Sequence, residues 1–364
     1  MHALEACKTI QLGGHLFRCD NCKKLHIIYN SCKNRHCPSC QYLKSEAWVL
    51  ARGNELLPIQ YFHVISTLPD DLNPIVFQNQ KVMYKLLFHS NKQMLQELSR
   101  NPKYLGAHQI GMISTLHTWG QTLMFHPHIH SIVTGGGLSK DKTTWISSSK
   151  DYFINIKVMS QRFRKIFLTR LKKLYATGEL CFLNDIAFLK EKSEFQKLIN
   201  RLFAKNWVVY AKGNYGDPKN VFAYLSRYTH RVAIGNNMII KVENDKVYFY
   251  YKDYADDKKT KIMALHAKEF IRRFLLHTLP KRFVRVRCYG LWAHRDRNEK
   301  LDLCRDLLKV PQDQRNILEI PTDWRERYEM ATGKEALKCP YCETGHLEYV
   351  DVIPIPVRPR VRGP

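Results

Sequence analysis

The sequence lacks the features that would place the protein in or across a membrane. No uninterrupted apolar run reaches roughly 18 residues, the length that a membrane-spanning helix needs. The first ten residues, MHALEACKTI, contain neither the basic region nor the apolar stretch of a secretory signal. We therefore expect a cytoplasmic protein with no membrane partner.

Acidic residues are also scarce. Only 33 Asp and Glu stand against 58 Lys and Arg, so the formal net charge is +25. A hydrophobic fraction of 45% with 12% aromatics excludes a disordered basic tail, because that much apolar surface has to be buried. A folded protein this basic usually binds a polyanion, and we expect the partner to be DNA or RNA.

Cysteine is abundant for an intracellular chain. The sequence has 11 cysteines, which a reducing compartment favours as metal ligands and buried thiols rather than disulfides. Two Cys-x2-Cys pairs near the amino end have the spacing of two zinc knuckles. We predict that four thiolates bind one structural zinc: Cys19, Cys22, Cys37 and Cys40. Cys32 and His36 are alternative ligands.

Basic side chains surround these knuckles. Arg18, Lys33 and Arg35 lie within a few residues of the predicted ligands. A zinc with four protein ligands has no open position for a substrate. We therefore predict a DNA-binding module that is not itself catalytic. Cys339 and Cys342, with His346 nearby, form half of another site, and whether they bind a second zinc is left open.

A histidine-rich strand offers a second kind of metal site. In the segment His126-Pro-His-Ile-His130, the side chains of His128 and His130 project to one face because alternate residues of a strand share a face. Two imidazoles on one rigid face can bind a divalent ion. Such an ion beside a DNA phosphate acts as a Lewis acid.

A pair of tyrosines lies four residues apart in AYLSRYTHR. Tyr224 and Tyr228 would lie on one face of a helix, within reach of the same phosphate. A phenol that attacks phosphorus forms a phosphotyrosine ester and releases a 3′-hydroxyl, which conserves the bond for rejoining. Arg227 and Arg231 could hold the flanking phosphates.

Together these stretches resemble the IS91 family of transposases, which are HUH single-strand nucleases. The matching segments follow in order from about residue 4 to 345 and include LGGHLFRCDNC, FHVISTLP, LHTWGQTLMFHPHIHSIVTGGGLS and VFAYLSRYTHRVAI. The resemblance implies a prokaryotic, nucleoid-associated enzyme that cuts single-stranded DNA with Mg²⁺ or Mn²⁺. It places His128 and His130 as metal ligands and Tyr224 and Tyr228 as nucleophiles.

Two histidines leave the ion short of protein ligands. Gln121, seven residues before His128, is our preferred third ligand because it could lie across the hairpin from the histidines. His126 and His117 are the other candidates. Structural zinc and a catalytic Mg²⁺ or Mn²⁺ are thus the predicted cofactors.

The fold class predicted is α+β, with an N-terminal zinc ribbon followed by an HUH nuclease domain whose central antiparallel sheet is flanked by helices. Strands are predicted in LHIIYN, YFHVISTLP, HQIGMISTLHTW and HIHSIVT, the last of which should end at Gly135, Gly136 and Gly137. The strands HQIGMISTLHTW and HIHSIVT are close enough in sequence to be hairpin neighbours, and NMIIKV with KVYFYY should form another hairpin. We place the zinc-binding domain at 1–45 and the catalytic domain at 46–240. A basic hairpin and helix follow at 241–345, and a mobile basic tail at 346–364.

Two other functions compete with a transposase. A rolling-circle replication initiator or relaxase would share the histidines and tyrosines, but the cysteine module argues against it. A non-catalytic zinc-ribbon regulator would explain the charge and the cysteines and would leave the histidines and tyrosines unexplained.

Overall fold

The computed structural model describes residues 2–37, 40, 42–149, 153–213, 233–315 and 321–356. The chain divides into two compact units. The terminal unit comprises Met1–Asn54, His230–Asn237 and Ile317–Pro364. The central unit comprises Glu55–Thr229 and Met238–Asn316.

The described residues contain both helices and strands. The strands are β1 (Gly14–Cys19), β2 (Leu25–Tyr29), β3 (Tyr61–Thr67), β4 (Gln109–Trp119), β5 (Phe125–Leu138), β6 (Trp145–Ser147), β7 (Val209–Lys212), β8 (Ile239–Glu243), β9 (Lys246–Asp253), β10 (Lys259–His266), β11 (Val286–Gly290) and β12 (Leu347–Ile353). The helices are α1 (His2–Glu5), α2 (Tyr42–Gly53), α3 (Asn73–Gln78), α4 (Gln80–Arg100), α5 (Ile156–Ala176), α6 (Lys192–Ala204), α7 (Ala267–Leu275), α8 (Arg297–Leu307) and α9 (Trp324–Thr332). Among the described residues, no helix combines the length and the apolar character that crossing a membrane requires.

An antiparallel sheet forms the centre of the central unit. Its strands lie in the order β11-β4-β5-β3-β7, and β6 pairs with β5. The two strands were predicted to be hairpin neighbours because they lie close in sequence, and the pairing of β4 with β5 confirms this. Gly135, Gly136 and Gly137 were expected to end the second strand, but β5 continues through them to Leu138. The mixed fold with antiparallel sheets agrees with the predicted α+β class.

The two faces of this sheet have different surroundings. On one face, Val64, Ile129 and Val133 pack in a large apolar core with side chains of α4 and α5. Asn91 of α4 is buried in the same layer, where its side-chain amide donates a hydrogen bond to Ser131 Oγ at 2.9 Å and Ser66 Oγ donates to its oxygen at 2.8 Å. Because side chains alternate, the neighbouring residues of each strand face the other way.

A second sheet of the central unit has three strands in the order β10-β9-β8. It contains the hairpin predicted from NMIIKV and KVYFYY, and the Phe270 ring of α7 lies 5.6 Å from the Phe249 ring of β9. The helix α7 follows β10 directly, so the strand and the helix form one continuous segment.

The terminal unit contains a third sheet, in the order β12-β1-β2. The predicted strand in LHIIYN is β2, which pairs with β1. The far side of β1 pairs with β12, from Gly14 opposite Ile353 to Cys19 opposite Leu347. The helix α9 lies against α2 in the same unit.

The structure divides the chain differently from the predicted succession of domains. Residues 241–316 belong to the central unit, in part because β11 pairs with β4. The predicted tail from residue 346 begins as the ordered strand β12. Both differences arise from pairing between segments far apart in the sequence, which local patterns do not reveal.

Gly290 at the end of β11 allows a close approach of two strands. It has φ of +63°, and an added Cβ would lie 1.8 Å from the carbonyl oxygen of Ile110. Gly178 has a similar φ of +69° but nothing within 4 Å of such an atom. Gly178→Ala should therefore cost only the left-handed strain, about 1–2 kcal/mol.

Gly290→Ala should cost the same strain and a backbone clash, about 1–3 kcal/mol more. Thermal unfolding of the two variants provides the comparison. We expect the lower midpoint for Gly290→Ala, and equal midpoints would contradict the packing of β11 against β4.

Candidate functional site

Three histidines converge on the face of the central sheet opposite α4 and α5. His128 and His130 project from β5, and His117 projects from β4, where it is the direct cross-strand partner of His128. All three side chains are buried. One ring nitrogen from each lies within 4.8 Å of the others. The strand register alone therefore assembles a set of three imidazoles.

Hydrogen bonds orient the two rings on β5. The Nδ1–H of His128 donates to the carbonyl oxygen of His126 at 2.6 Å. His130 Nδ1 shares a hydrogen bond of 2.8 Å with Nε2 of His63, a buried residue of β3. With both Nδ1 atoms engaged, the Nε2 atoms of His128 and His130 face each other at 2.9 Å. Such outer partners fix the orientation of metal-binding histidines.

This geometry fits a divalent ion. In an octahedral site, each ligand atom lies about 2.1 Å from the ion. Two adjacent ligand atoms are then roughly 3 Å apart. The Nε2 separation of 2.9 Å in the pair on β5 has this value. Among the described residues, no Asp or Glu joins the group.

Burial also keeps these histidines neutral. It lowers the pKa of His63 to about 4 and that of His128 to about 3, and it holds the pKa of His130 well below the usual value. Neighbouring imidazoles lower the pKa of His130 further. A neutral ring keeps its lone pair, so these side chains are available as ligands at neutral pH.

Gln121, the third ligand predicted from the sequence, has a different partner in the structure. Gln121 lies in the exposed turn after β4 ends at Trp119, and its side-chain oxygen accepts a hydrogen bond from the backbone N–H of Lys252 at 3.3 Å. His117 occupies the position across the hairpin instead. Gln121 is seven residues before His128, but the turn between β4 and β5 occupies residues 120–124. Gln121 therefore lies in the turn and not on the strand opposite His128.

His126 is also outside the group. Its Nδ1 lies 3.6 Å from a carboxylate oxygen of Asp70, and its carbonyl oxygen accepts the hydrogen bond from His128. Sequence reasoning did not identify His63. The signal was present in FHVIST, where His63 stands in a predicted strand, but which strand would pair with it could not be read locally.

The predicted nucleophiles fall outside the described residues. Tyr224, Tyr228, Arg227 and Arg231 all lie between residues 214 and 232. Their roles therefore stay predictions.

The cysteines form two groups instead of the single predicted one. The first group, which we call the amino-terminal cluster, comprises Cys7, Cys32, Cys37 and Cys40. In it the sulfurs of Cys32 and Cys40 lie 3.7 Å apart, and those of Cys7 and Cys37 lie 3.5 Å apart. The predicted partners Cys19 and Cys22 lie with Cys339 and Cys342 instead.

The hairpin of β1 and β2 explains this correction. Cys19 and Cys22 lie at its turn, whereas Cys32 follows the far end of β2. Strands of five or six residues span about 17 Å, so knuckles at opposite ends of the hairpin cannot share one ion. Cys32, named from the sequence as an alternative, is part of the cluster, and His36 is not.

Basic side chains near the cysteines are accessible. Arg18 on β1 and Lys33 after β2 are exposed, and Arg35 is half-buried. Burial lowers the pKa of Arg35, which still leaves a guanidinium charged. Their proposed contact with DNA stays a prediction.

Two protein families match separate parts of the chain. Residues 1–68 match a family described as "Transposase zinc-binding domain", and residues 111–300 match one described as "Putative transposase". The first range contains the whole amino-terminal cluster, and the second contains the three convergent histidines. Cys339 and Cys342 lie beyond both ranges.

Similar proteins include two with related descriptions. "Putative transposase y4qJ" of Sinorhizobium fredii is 42% identical over 352 residues, which are 97% of this chain and 88% of that protein. "Transposase for insertion sequence element IS801" of Pseudomonas savastanoi pv. phaseolicola is 25% identical over 309 residues, which are 84% of this chain and 72% of that protein. No solved structure matches the chain.

The amino-terminal cluster should hold zinc as a structural ion. Replacing Cys32 and Cys40 by serine leaves two thiolates, which cannot complete a tetrahedral site. We expect the zinc content measured by mass spectrometry to fall by one ion per chain and the thermal stability of the terminal unit to fall with it. The control is Cys181→Ser, an exposed cysteine outside the group. An unchanged zinc content in the double variant would refute the assignment.

Proposed function

The chain belongs to the IS91 family of transposases, and from this premise we propose that it nicks and rejoins single-stranded DNA at the ends of an insertion sequence through a 5′-phosphotyrosine intermediate. The observation that carries the proposal is the group of three buried histidines on adjacent strands of the central sheet. It lies within the range that matches the transposase family. The relatives with transposase names favour this function over a replication initiator or relaxase.

His117, His128 and His130 would hold the catalytic divalent ion. When bound, Mn²⁺ or Mg²⁺ supplies a Lewis acid that polarises the scissile phosphate. Imidazole donors favour Mn²⁺, because Mg²⁺ prefers oxygen ligands. His63 and the carbonyl of His126 keep the two rings on β5 aimed at one point.

Tyr224 and Tyr228 would supply the nucleophiles. The phenol oxygen attacks phosphorus, the bond between phosphorus and the 3′ oxygen breaks, and the phenol proton is transferred to that leaving oxygen. The protein then carries the 5′ end as a phosphotyrosine ester. A 3′-hydroxyl attacks this ester in the reverse sense, which rejoins the strand and regenerates the phenol. Arg227 and Arg231 would hold the flanking phosphates.

The charge of the chain suits this substrate. A net charge of +25 attracts a polyanion regardless of sequence, so binding and cleavage should be separable. The amino-terminal zinc module, with Arg18, Lys33 and Arg35, would provide recognition of the element ends.

Removing a ligand histidine should abolish cleavage. We expect His117→Ala and His128→Ala each to lower Mn²⁺-dependent cutting of labelled single-stranded DNA by at least about 100-fold, since several kcal/mol of charge stabilisation is lost. Binding of the same DNA should persist. Gln121→Ala, in the same hairpin but outside the group, is the matched control and should cut normally. Cutting that survives in the histidine variants or in EDTA would contradict a metal-dependent role.

The two tyrosines should be separable by single substitutions. If each phenol serves one strand exchange, Tyr224→Phe and Tyr228→Phe should each retain some covalent protein–DNA adduct on a denaturing gel, and the double variant should retain none. Phenylalanine keeps the ring and its packing, so loss of adduct reports the missing hydroxyl. Tyr210→Phe, exposed on β7, is the control. An adduct mapped by mass spectrometry to Tyr210 or Tyr215 would overturn the assignment.

A further inference from the structure

The second group of cysteines joins residues from distant parts of the chain. Cys19 is the last residue of β1, Cys22 lies in the turn that links β1 to β2, and Cys339 and Cys342 precede β12. More than 300 residues separate the two pairs in sequence. All four lie in the terminal unit, whose sheet already places β12 beside β1.

The sulfur positions fit a tetrahedral site. Cys19 Sγ lies 3.7 Å from Cys342 Sγ, and Cys22 Sγ lies 3.8 Å from Cys339 Sγ. With a zinc–sulfur distance of about 2.3 Å, the edge of a tetrahedron of ligands is about 3.8 Å. A disulfide would need about 2.05 Å, so the four sulfurs are spaced as ligands and not as bonded pairs.

Each half of the group has the local geometry of a zinc knuckle. The backbone N–H of Cys22 donates to Cys19 Sγ at 3.4 Å, and that of Tyr341 donates to Cys339 Sγ at 3.4 Å. Cys19 and Cys339 are buried, with 0% and 1% of their surface exposed. Amide donors around a buried sulfur stabilise the thiolate form that binds metal.

The two knuckles also bind each other directly. The backbone N–H of His346 donates to the carboxylate of Asp20 at 2.8 Å, and that of Asp20 donates to the carbonyl of His346 at 3.0 Å. Asn21 Nδ2 donates to Thr344 Oγ1 at 2.9 Å. Gly345 makes this approach possible, because an added Cβ would lie 2.5 Å from Cys19 Sγ.

We propose that Cys19, Cys22, Cys339 and Cys342 bind a second structural zinc ion, which closes the amino-terminal and carboxyl-terminal segments of the terminal unit into one bipartite domain. The range that matches the zinc-binding family, 1–68, supplies only half of this site. On binding, the four thiols release their protons to solvent as thiolates coordinate the ion. A chain cut before residue 337 would retain the amino-terminal cluster and would lose this one.

The first test uses the protein without any substitution. We expect two zinc ions per chain by mass spectrometry. Alkylation with N-ethylmaleimide and peptide mapping should show Cys339 and Cys342 protected in the zinc-loaded protein and reactive after chelation. Cys181, which is exposed, should react in both states. Reaction of Cys339 and Cys342 at the rate of Cys181 in the loaded protein, or only one zinc per chain, would overturn the proposal.

The second test removes the site in two ways. Cys339→Ser with Cys342→Ser deletes two ligands, and Gly345→Ala blocks the approach of the knuckles while keeping every thiol. Both variants should bind one zinc per chain in place of two. Hydrogen exchange should become faster at the amides of β1, which lose β12 as a partner, while exchange in β5 of the central unit stays as in the wild type.

Hydrogen exchange in β5 shows whether the central unit of a variant is still folded. The zinc content shows whether the four cysteines bind the second ion. Two zinc ions retained in the double serine variant would refute the proposal. If either variant also loosens β5, the alkylation pattern of the unsubstituted protein decides between the two outcomes, since it needs no substitution. None of these measurements depends on DNA cleavage. They therefore test the second zinc site independently of the proposed transposase chemistry.

Discussion

The register between β4 and β5 is the constraint on which the histidine site depends. Side chains alternate with a period of two, so a slip of one residue would turn His117 or His128 to the opposite face. That face is filled by apolar residues and by Asn91, which is hydrogen-bonded to serines of β3 and β5. A slipped register would bury these polar groups without partners, at roughly 1–3 kcal/mol each. The hydrogen bonds of Asn91 to the serines, on the face that packs against α4 and α5, thus favour the register that brings the histidines together on the opposite face.

The histidine site contains no acidic ligand among the described residues. Imidazole ligands carry no negative charge, so an ion held by these three histidines retains its full positive charge for a phosphate. This charge suits the proposed reaction, since the substrate is itself a polyanion. Burial, which keeps the rings uncharged, also gives low dielectric surroundings in which the attraction between ion and phosphate is stronger.

The sequence was most informative where the signal was local. The strand period placed His128 and His130 on one face, and the short separation between residues 108–119 and 128–134 predicted the two strands as hairpin neighbours. The third histidine was among the candidates, yet Gln121 was preferred because the length of the turn was unknown. His63 depends on β3 pairing with β5, across more than 60 residues, and no local pattern encodes that.

The cysteine pairs show even more clearly that local patterns do not reveal which distant segments come together. Spacing identified each Cys-x2-Cys as a knuckle, but it could not tell which knuckles share an ion. Proximity in sequence favoured Cys19 with Cys37, whereas the hairpin holds them at opposite ends. Partners more than 300 residues away become neighbours through the pairing of β1 with β12 and through direct hydrogen bonds between the two knuckles.

The position of β12 has a consequence for how the protein is made. In the finished sheet β1 is the middle strand, but its partner on one side leaves the ribosome long after β1 itself. At 5–20 residues per second, roughly 16–65 seconds separate the synthesis of Cys19 from that of Cys342. Throughout that interval one edge of β1 is open to any other strand, including one from a neighbouring nascent chain. The rate of translation therefore sets how long this edge of β1 stays open before β12 can cover it.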